Sequence, residues 1–168
     1  IHIRARAVEC LIEKKDIEGP EPKALGDAFK FVELSKDGAQ RARFCTFSLT
    51  AGIPAELLLH LREERNLEDL DVSREYKTCV TIAFELDGYG HIASSSNGLL
   101  NVFLPTKVRT FLAFDVNADF LLNPNREELN RTDDPYNCWL FKQVVEGARE
   151  IIKVHKDKAS RQFWPDLY

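Results

Sequence analysis

Between Tyr76 and Asp87 apolar and polar residues trade places at every step: Val80, Ile82, Phe84 and Leu86 alternate with Thr81, Ala83 and Glu85. A period of two sends successive side chains to opposite faces of a strand, so this stretch predicts a half-buried strand in a sheet with one apolar face. Further on, Asp133-Asp134-Pro135 supplies a carboxylate cap and a proline at a first helical position. The stripe Phe141, Val144, Val145, Ala148, Ile151, Ile152 and His155 then recurs at helical spacing, with Lys142, Glu146, Arg149, Glu150, Lys153 and Lys156 largely outside it. A helix from Pro135 to about Lys156 would run roughly 33 Å, long enough to brace a whole sheet.

The remaining elements fill in around these two. Ile1, Ile3, Ala5 and Ala7 alternate with His2, Arg4 and Arg6, giving a strand that can run on to Ile12 before Gly19-Pro20-Glu21-Pro22 breaks the chain. Strands are predicted over Ala28–Leu34 and Arg41–Thr50, joined by a hairpin turn at Ser35-Lys36-Asp37-Gly38. Phe29 and Phe31 of the first would share an inner face with Cys45, Phe47 and Leu49 of the second. Pro54 opens an amphipathic helix to Arg65 through Leu57, Leu58 and Leu61, with Leu59 and His60 off the main stripe. His60 there reads as a surface partner of Glu56. Residues 66–75 read as an acidic turn or loop. Together these elements predict an α+β fold, a mostly antiparallel sheet with helices packed on one face.

The stretch from Leu99 to Leu129 is less regular. Two apolar runs, Leu99–Leu104 and Phe111–Val116, flank Pro105-Thr106-Lys107-Val108-Arg109-Thr110, a segment suited to a hairpin connection. The first run is apolar on both faces, as a strand covered on both sides would be. Pro124 then forbids a continuing central strand, and Asn125 can cap a helix beginning at Arg126. A cation in a helix's first turn faces the positive end of the helix dipole, so Arg126 there asks for an anion. The alternative is a structural ion pair with Asp119, Asp133 or Asp134.

The segment Val116-Asn117-Ala118-Asp119-Phe120-Leu121-Leu122-Asn123-Pro124-Asn125-Arg126-Glu127 resembles the part of the middle domain of the 90-kDa heat-shock chaperone family that carries an ATP-sensing arginine in a Leu-Asn-x-Ser-Arg-Glu context. It is more similar still to the sacsin and NO VEIN type of proteins. In these a Phe-Leu-Pro-Thr strand end, here Phe103 to Thr106, precedes Asn-Ala-Asp-Phe, here Asn117 to Phe120, and an Asn-Arg-Glu turn, here Asn125 to Glu127. The resemblance covers about a third of the chain and implies a split βαβ middle domain like the second domain of GHKL-type ATPases. It implies that Arg126 reaches the γ-phosphate of ATP, held with Mg²⁺ in a preceding N-terminal ATP-binding domain of the same parent chain, and that client proteins are further partners. Asn130 falls where the chaperones have a glutamine, and Asn125 replaces their serine. Lys107 and Arg109 are second-rank phosphate candidates, with exposed hairpin charges as their other reading. Glu127 reads as a helix cap or a partner of Arg126. Ser73-Arg74-Glu75 repeats the chaperone tripeptide more literally but lacks the Asn-Ala-Asp-Phe lead-in, so it reads as a decoy.

Composition narrows the function classes. With 168 residues, 44% of them hydrophobic and 30% charged, the chain reads as one domain with a real core and residues 158–168 as an extended aromatic tail. A net charge of −4 gives no broad attraction for nucleic acid, and no apolar run is long enough for a transmembrane helix. Cys10, Cys45, Cys79 and Cys138 stand at least 34 positions apart. That spacing suits reduced thiols in a cytoplasmic protein better than a disulfide framework or zinc site. The lack of methionine and the start at Ile1 point to a piece of a longer protein. The Ser/Gly stretch Ser94–Gly98 lacks the spacing of a phosphate-binding loop. Two other functions remain open: a protein-interaction module using Trp164 and Tyr168, and a small-molecule enzyme. For the enzyme, no paired carboxylate, Ser/His or Cys/His arrangement nominates a site.

Overall fold

A computed structural model describes residues 12–17, 29–36, 39–89, 92–93, 98–131 and 133–155. Their elements follow in chain order: strands β1 (Ile12–Ile17), β2 (Phe29–Lys36) and β3 (Ala39–Gly52), helix α1 (Ala55–Glu64), strands β4 (Lys77–Leu86), β5 (Leu99–Val102), β6 (Leu104–Arg109) and β7 (Asp115–Asn117), and helix α2 (Pro135–His155). The predicted strand before Ile12, Cys10 and the tail at 158–168 lie outside the described residues.

The fold is α+β. Among the described residues the strands form one mixed sheet in the order β1-β2-β3-β4-β7-β5-β6. Five of its neighbouring pairs are antiparallel and one, β5 with β7, is parallel. The β2–β3–β4 portion follows the alternation closely. Phe29 faces Phe47, Phe31 faces Cys45, Cys45 faces Phe84, and Phe47 faces Ile82 across the ladder. All of these side chains are buried, as expected from the period-two pattern.

The two helices close this face. Gly147 of α2 sits so close to the sheet that an added Cβ would lie 3.1 Å from Ile82 Cδ1 and 3.7 Å from the Phe47 ring. Leu57, Leu58 and Leu61 of α1 are buried, and Leu59 is exposed. The apolar stripe of α2 is rotated from the predicted one. Tyr136, Leu140, Val144 and Ile151 face the core, while Val145 and Ile152 are about half exposed. Each side chain fully withdrawn from water here contributes about 1.5–3 kcal/mol.

The stretch after β4 departs most from expectation. The residues predicted to connect two strands are themselves β6, paired antiparallel with β5, and the second apolar run contributes only the short β7. β5 is not covered on both faces along its predicted length. It ends at Val102, and Phe103 (φ 60°) turns out into solvent. β7 lies between β4 and β5, so the link from β6 to β7 must cross the start of β5. It does so at Gly98, whose N–H donates to Leu112 O at 2.9 Å and whose carbonyl accepts from Thr110 N–H at 2.8 Å. A Cβ on Gly98 would lie 2.0 Å from Phe114 O. Only glycine fits between the two backbones.

Candidate functional site

The end of β5 and the C-terminal end of α1 leave a cleft of about 400 Å³ beside the segment that follows β7. One wall is the C-terminal end of α1, with Glu64 and Arg65. The floor comes from Val102, Phe120 and Leu121, and Phe103, Arg126 and Asn130 also line the cleft. The cleft therefore brings Arg126 and Asn130 together. Lys107 and Arg109 are not among its lining residues.

A chain of polar contacts fixes the floor. Asp134 caps α2, its Oδ1 accepting from the N–H groups of Tyr136 and Asn137 at 2.9 Å each. Its other oxygen, Oδ2, lies 2.7 Å from His60 Nε2, joining the cap to α1. The predicted partner of His60 was Glu56. The fold instead brings in a carboxylate 74 positions away, which no local spacing could reveal. Asn137, fully buried, acts as a one-residue strand: its Oδ1 accepts from Leu121 N–H at 2.8 Å and its Nδ2 donates to Leu121 O at 3.0 Å. Leu121 O also accepts from Asn130 N–H at 3.0 Å. The cap of α2, the cleft floor and Asn130 thus share one network.

No helix begins at Arg126. Asn125 Oδ1 does accept from Glu127 N–H at 3.0 Å, as a cap would, but Asn123 closes the segment into a tight reversal. Asn123 N–H donates to Glu128 O, Asn123 O accepts from Arg126 N–H, and Asn123 Oδ1 accepts from Glu127 and Glu128 N–H groups. Leu122 and Leu129 bridge across its base, and Arg126 itself takes φ 61°. A side-chain carbonyl able to serve several N–H groups competes directly with helix formation. The helix-dipole argument for an anion therefore falls, and Asn130 does not sit one helical turn beyond Arg126.

The reversal is pinned to β6. Lys107 N–H donates to Glu127 O at 2.9 Å, and Lys107 Nζ lies 2.7 Å from Glu127 Oε2. Glu127 therefore pairs with Lys107, neither capping a helix nor pairing with Arg126. Lys107 holds the loop and has its charge offset there.

The three aspartates considered as structural partners of Arg126 are engaged elsewhere. Arg65 grips Asp119 with two bonds of 3.1 Å, Arg131 binds Asp133 at 3.1 Å, and His60 holds Asp134. The hydrogen bond and charge of Arg131 draw the Asp133 carboxyl below its ordinary range. Arg126 is exposed and makes no ion pair or side-chain hydrogen bond among the described residues. Asn130 Nδ2 has a single long contact, 3.4 Å to Glu64 Oε2. Near the Arg65–Asp119 pair the Tyr136 hydroxyl is buried; burial, then the Asp119 charge, raises its pKa, against a smaller opposing effect of the Thr78 side chain. The decoy tripeptide lies in a turn, where Ser73 and Arg74 both hold Asp71.

Phe103, Arg65, Asn123 and Asn137 are the residues of this site that the sequence reading did not single out. The signal available for Asn137 was local: a side-chain amide one residue after Tyr136 in the first turn of a helix whose start Asp134-Pro135 marks. Cys45 and Cys79 are free thiols, and among the described residues no cluster of His, Cys, Asp and Glu could hold a metal. No helix there is long and apolar enough to cross a membrane. No family model, curated protein or solved structure matches the chain.

Proposed function

We propose that this chain is the middle, transducer-like domain of an ATP-dependent chaperone-like GHKL-type protein, with the split βαβ architecture that its resemblance implies. Arg126 supplies positive charge to the γ-phosphate of ATP and Mg²⁺ held in a preceding domain, where negative charge grows during phosphoryl transfer. Asn130, on the same cleft, donates to that phosphate or to the attacking water. Lys107 serves the reading by fixing the Arg126 loop. Arg109, at the far end of β6, is an outlying contact of the same domain interface.

The observation that carries this reading is the state of Arg126: an exposed guanidinium in a left-handed turn, fixed by Asn123 and by the Lys107–Glu127 pair, with every nearby aspartate already taken. A cation with no ion pair among the described residues is suited to meet an anion brought by a neighbour. ATP turnover of the longer parent chain tests it. Arg126→Ala should lower kcat about tenfold or more, equivalent to about 1.4 kcal/mol of barrier, while Arg74→Ala leaves it unchanged. Equal turnover in all three proteins would make Arg126 a surface residue and end the transducer reading.

A second reading, a protein-interaction module indifferent to ATP, is favoured by one specific feature. Phe103, Leu104, Phe111 and Leu112 are all exposed, and they flank the two ends of edge strand β6. Unchanged turnover with loss of client binding in Phe111→Ser would favour this second reading.

A further inference from the structure

We infer that the cleft is also a binding site, complete within this chain, for a small anion with a planar apolar body, its charge on Arg126 and its ring against Phe103. The inference goes beyond the transducer reading, because it needs neither a neighbouring domain nor a phosphoryl group.

Two lining residues share an uncommon combination. Phe103 and Arg126 both hold left-handed backbone, φ 60° and 61°, which disfavours side chains with a Cβ. Both also present their side chains to solvent, Phe103 at 79% exposure. The backbone at both positions is hydrogen-bonded, but the exposed ring, and a guanidinium with no ion pair or side-chain hydrogen bond among the described residues, give the fold nothing in burial or side-chain bonding. A ligand that covers the ring and meets the charge recovers both.

Each position is held from behind. Phe103 N–H donates to Asn117 Oδ1 at 3.0 Å, and the Arg126 loop is closed by Asn123. The floor of Val102, Phe120 and Leu121 is apolar, and the volume of about 400 Å³ lies in the range of small-molecule sites. The α1 end of the cleft favours a ligand with a single negative charge. Arg65 there is already neutralised by Asp119, and Glu64 would repel a second anionic group at that end. Arg126 can take a carboxylate or a phosphate in a two-bond fork, and the ring adds selectivity for a planar body.

Phe103→Gly and Arg126→Gly test this cleanly, since glycine accepts the left-handed conformation and removes only the side chain. Phe111→Gly is the control: it shares the conformation (φ 57°) and the exposure but does not line the cleft. Indoleacetate, its neutral amide and inorganic phosphate would each be titrated into the 168-residue chain and followed by amide-resolved NMR. Expected is saturable binding of indoleacetate, with shifts at Val102–Phe103 and Asn123–Asn130. It should weaken about tenfold or more in Phe103→Gly and in Arg126→Gly, and less than about twofold in Phe111→Gly. Equal binding of the amide would leave an apolar pocket only, and equal binding of phosphate a bare cation. Either result, or no saturable binding, overturns the inference. If Phe103→Gly loses indoleacetate but keeps parent ATP turnover, this site and the transducer role stand or fall separately.

Discussion

Strands β3 and β4 pair over ten consecutive positions, Arg43–Gly52 against Lys77–Leu86, without a register shift. Beyond β4, no pair exceeds three positions: β4 with β7 has three, β5 with β7 two, and β5 with β6 three around a shift. The first region is held by a repeating ladder and an alternating apolar face. The second is held by individual side chains that substitute for missing ladder bonds. Thr106 Oγ1 donates to Leu100 O at 2.7 Å, Asp115 Oδ1 accepts from Leu99 N–H at 2.7 Å, and Asn117 and Asn137 serve Phe103 and Leu121. Periodic structure spreads its stability over many equivalent contacts, whereas a patchwork concentrates it in a few. The strained positions follow the same division. Phe103, Phe111 and Arg126 all lie in the patchwork, and the remaining positive-φ residue, Asn66, ends α1.

The sharpest break of this contrast is a pair of glycine substitutions. Gly98→Ala should cost about 3 kcal/mol or more, because its new methyl meets fixed backbone at the strand crossing. Gly147→Ala, in the regular half, should stay within about 1 kcal/mol of wild type, since the Ile82 terminus can yield and alanine favours the helix. Urea denaturation of both variants reads the difference, and equal losses would remove the contrast.

Asn137→Ala comes next. It leaves the buried Leu121 N–H and C=O without their side-chain partner, at an expected cost of about 2–4 kcal/mol. If a patchwork really concentrates stability, amide exchange should speed up first at Leu121 and Asn130, before the β3–β4 ladder. Uniform exchange across the sheet would argue that the two regions open as one.

The last effect belongs to the ladder, is absent at neutral pH and appears only in alkali. Burial pushes the Cys45 thiol up to about 12 from 9.0. Between those values the unfolded thiol has lost its proton and the folded one has kept it, so stability falls as pH rises through that window. Cys45→Ala should flatten the slope there and leave stability below pH 9 without pH dependence from this group. An unchanged alkaline slope would mean that Cys45 is not so deeply held.

This division also explains what could be read from the chain. The alternation at Val80–Leu86, the facing of Phe29 and Phe31 with Cys45 and Phe47, the α1 stripe and the Asp134–Pro135 start all depend on neighbours within one element or across one hairpin. Each matches the structure. The connection at 105–110 became a strand and the helix at Arg126 became a reversal because the deciding groups lie elsewhere: Asn123 closes the turn, Lys107 receives it, and β5 supplies the edge. The helix that Asn125 was expected to cap does not form, although Asn125 Oδ1 accepts from Glu127 N–H as a cap would. A cap does not make a helix when a second local acceptor, here Asn123, serves the following N–H groups and folds the chain back. In the cleft, Arg126 and Asn130 were nominated from the sequence, whereas Phe103 and the Arg65–Asp119 clamp depend on segments meeting across the fold.

The crossing at Gly98 has a consequence for the order in which the sheet is built. β7 is made last yet sits between β4 and β5, so neither neighbour can complete its pairing until residues 115–117 arrive. Throughout synthesis up to that point, β4 offers one open edge with its backbone groups unpaired, a template for any strand nearby. The chain guards its most regular strand with its shortest one, and a nascent protein stalled before Asp115 would be the form most prone to pair with the wrong partner.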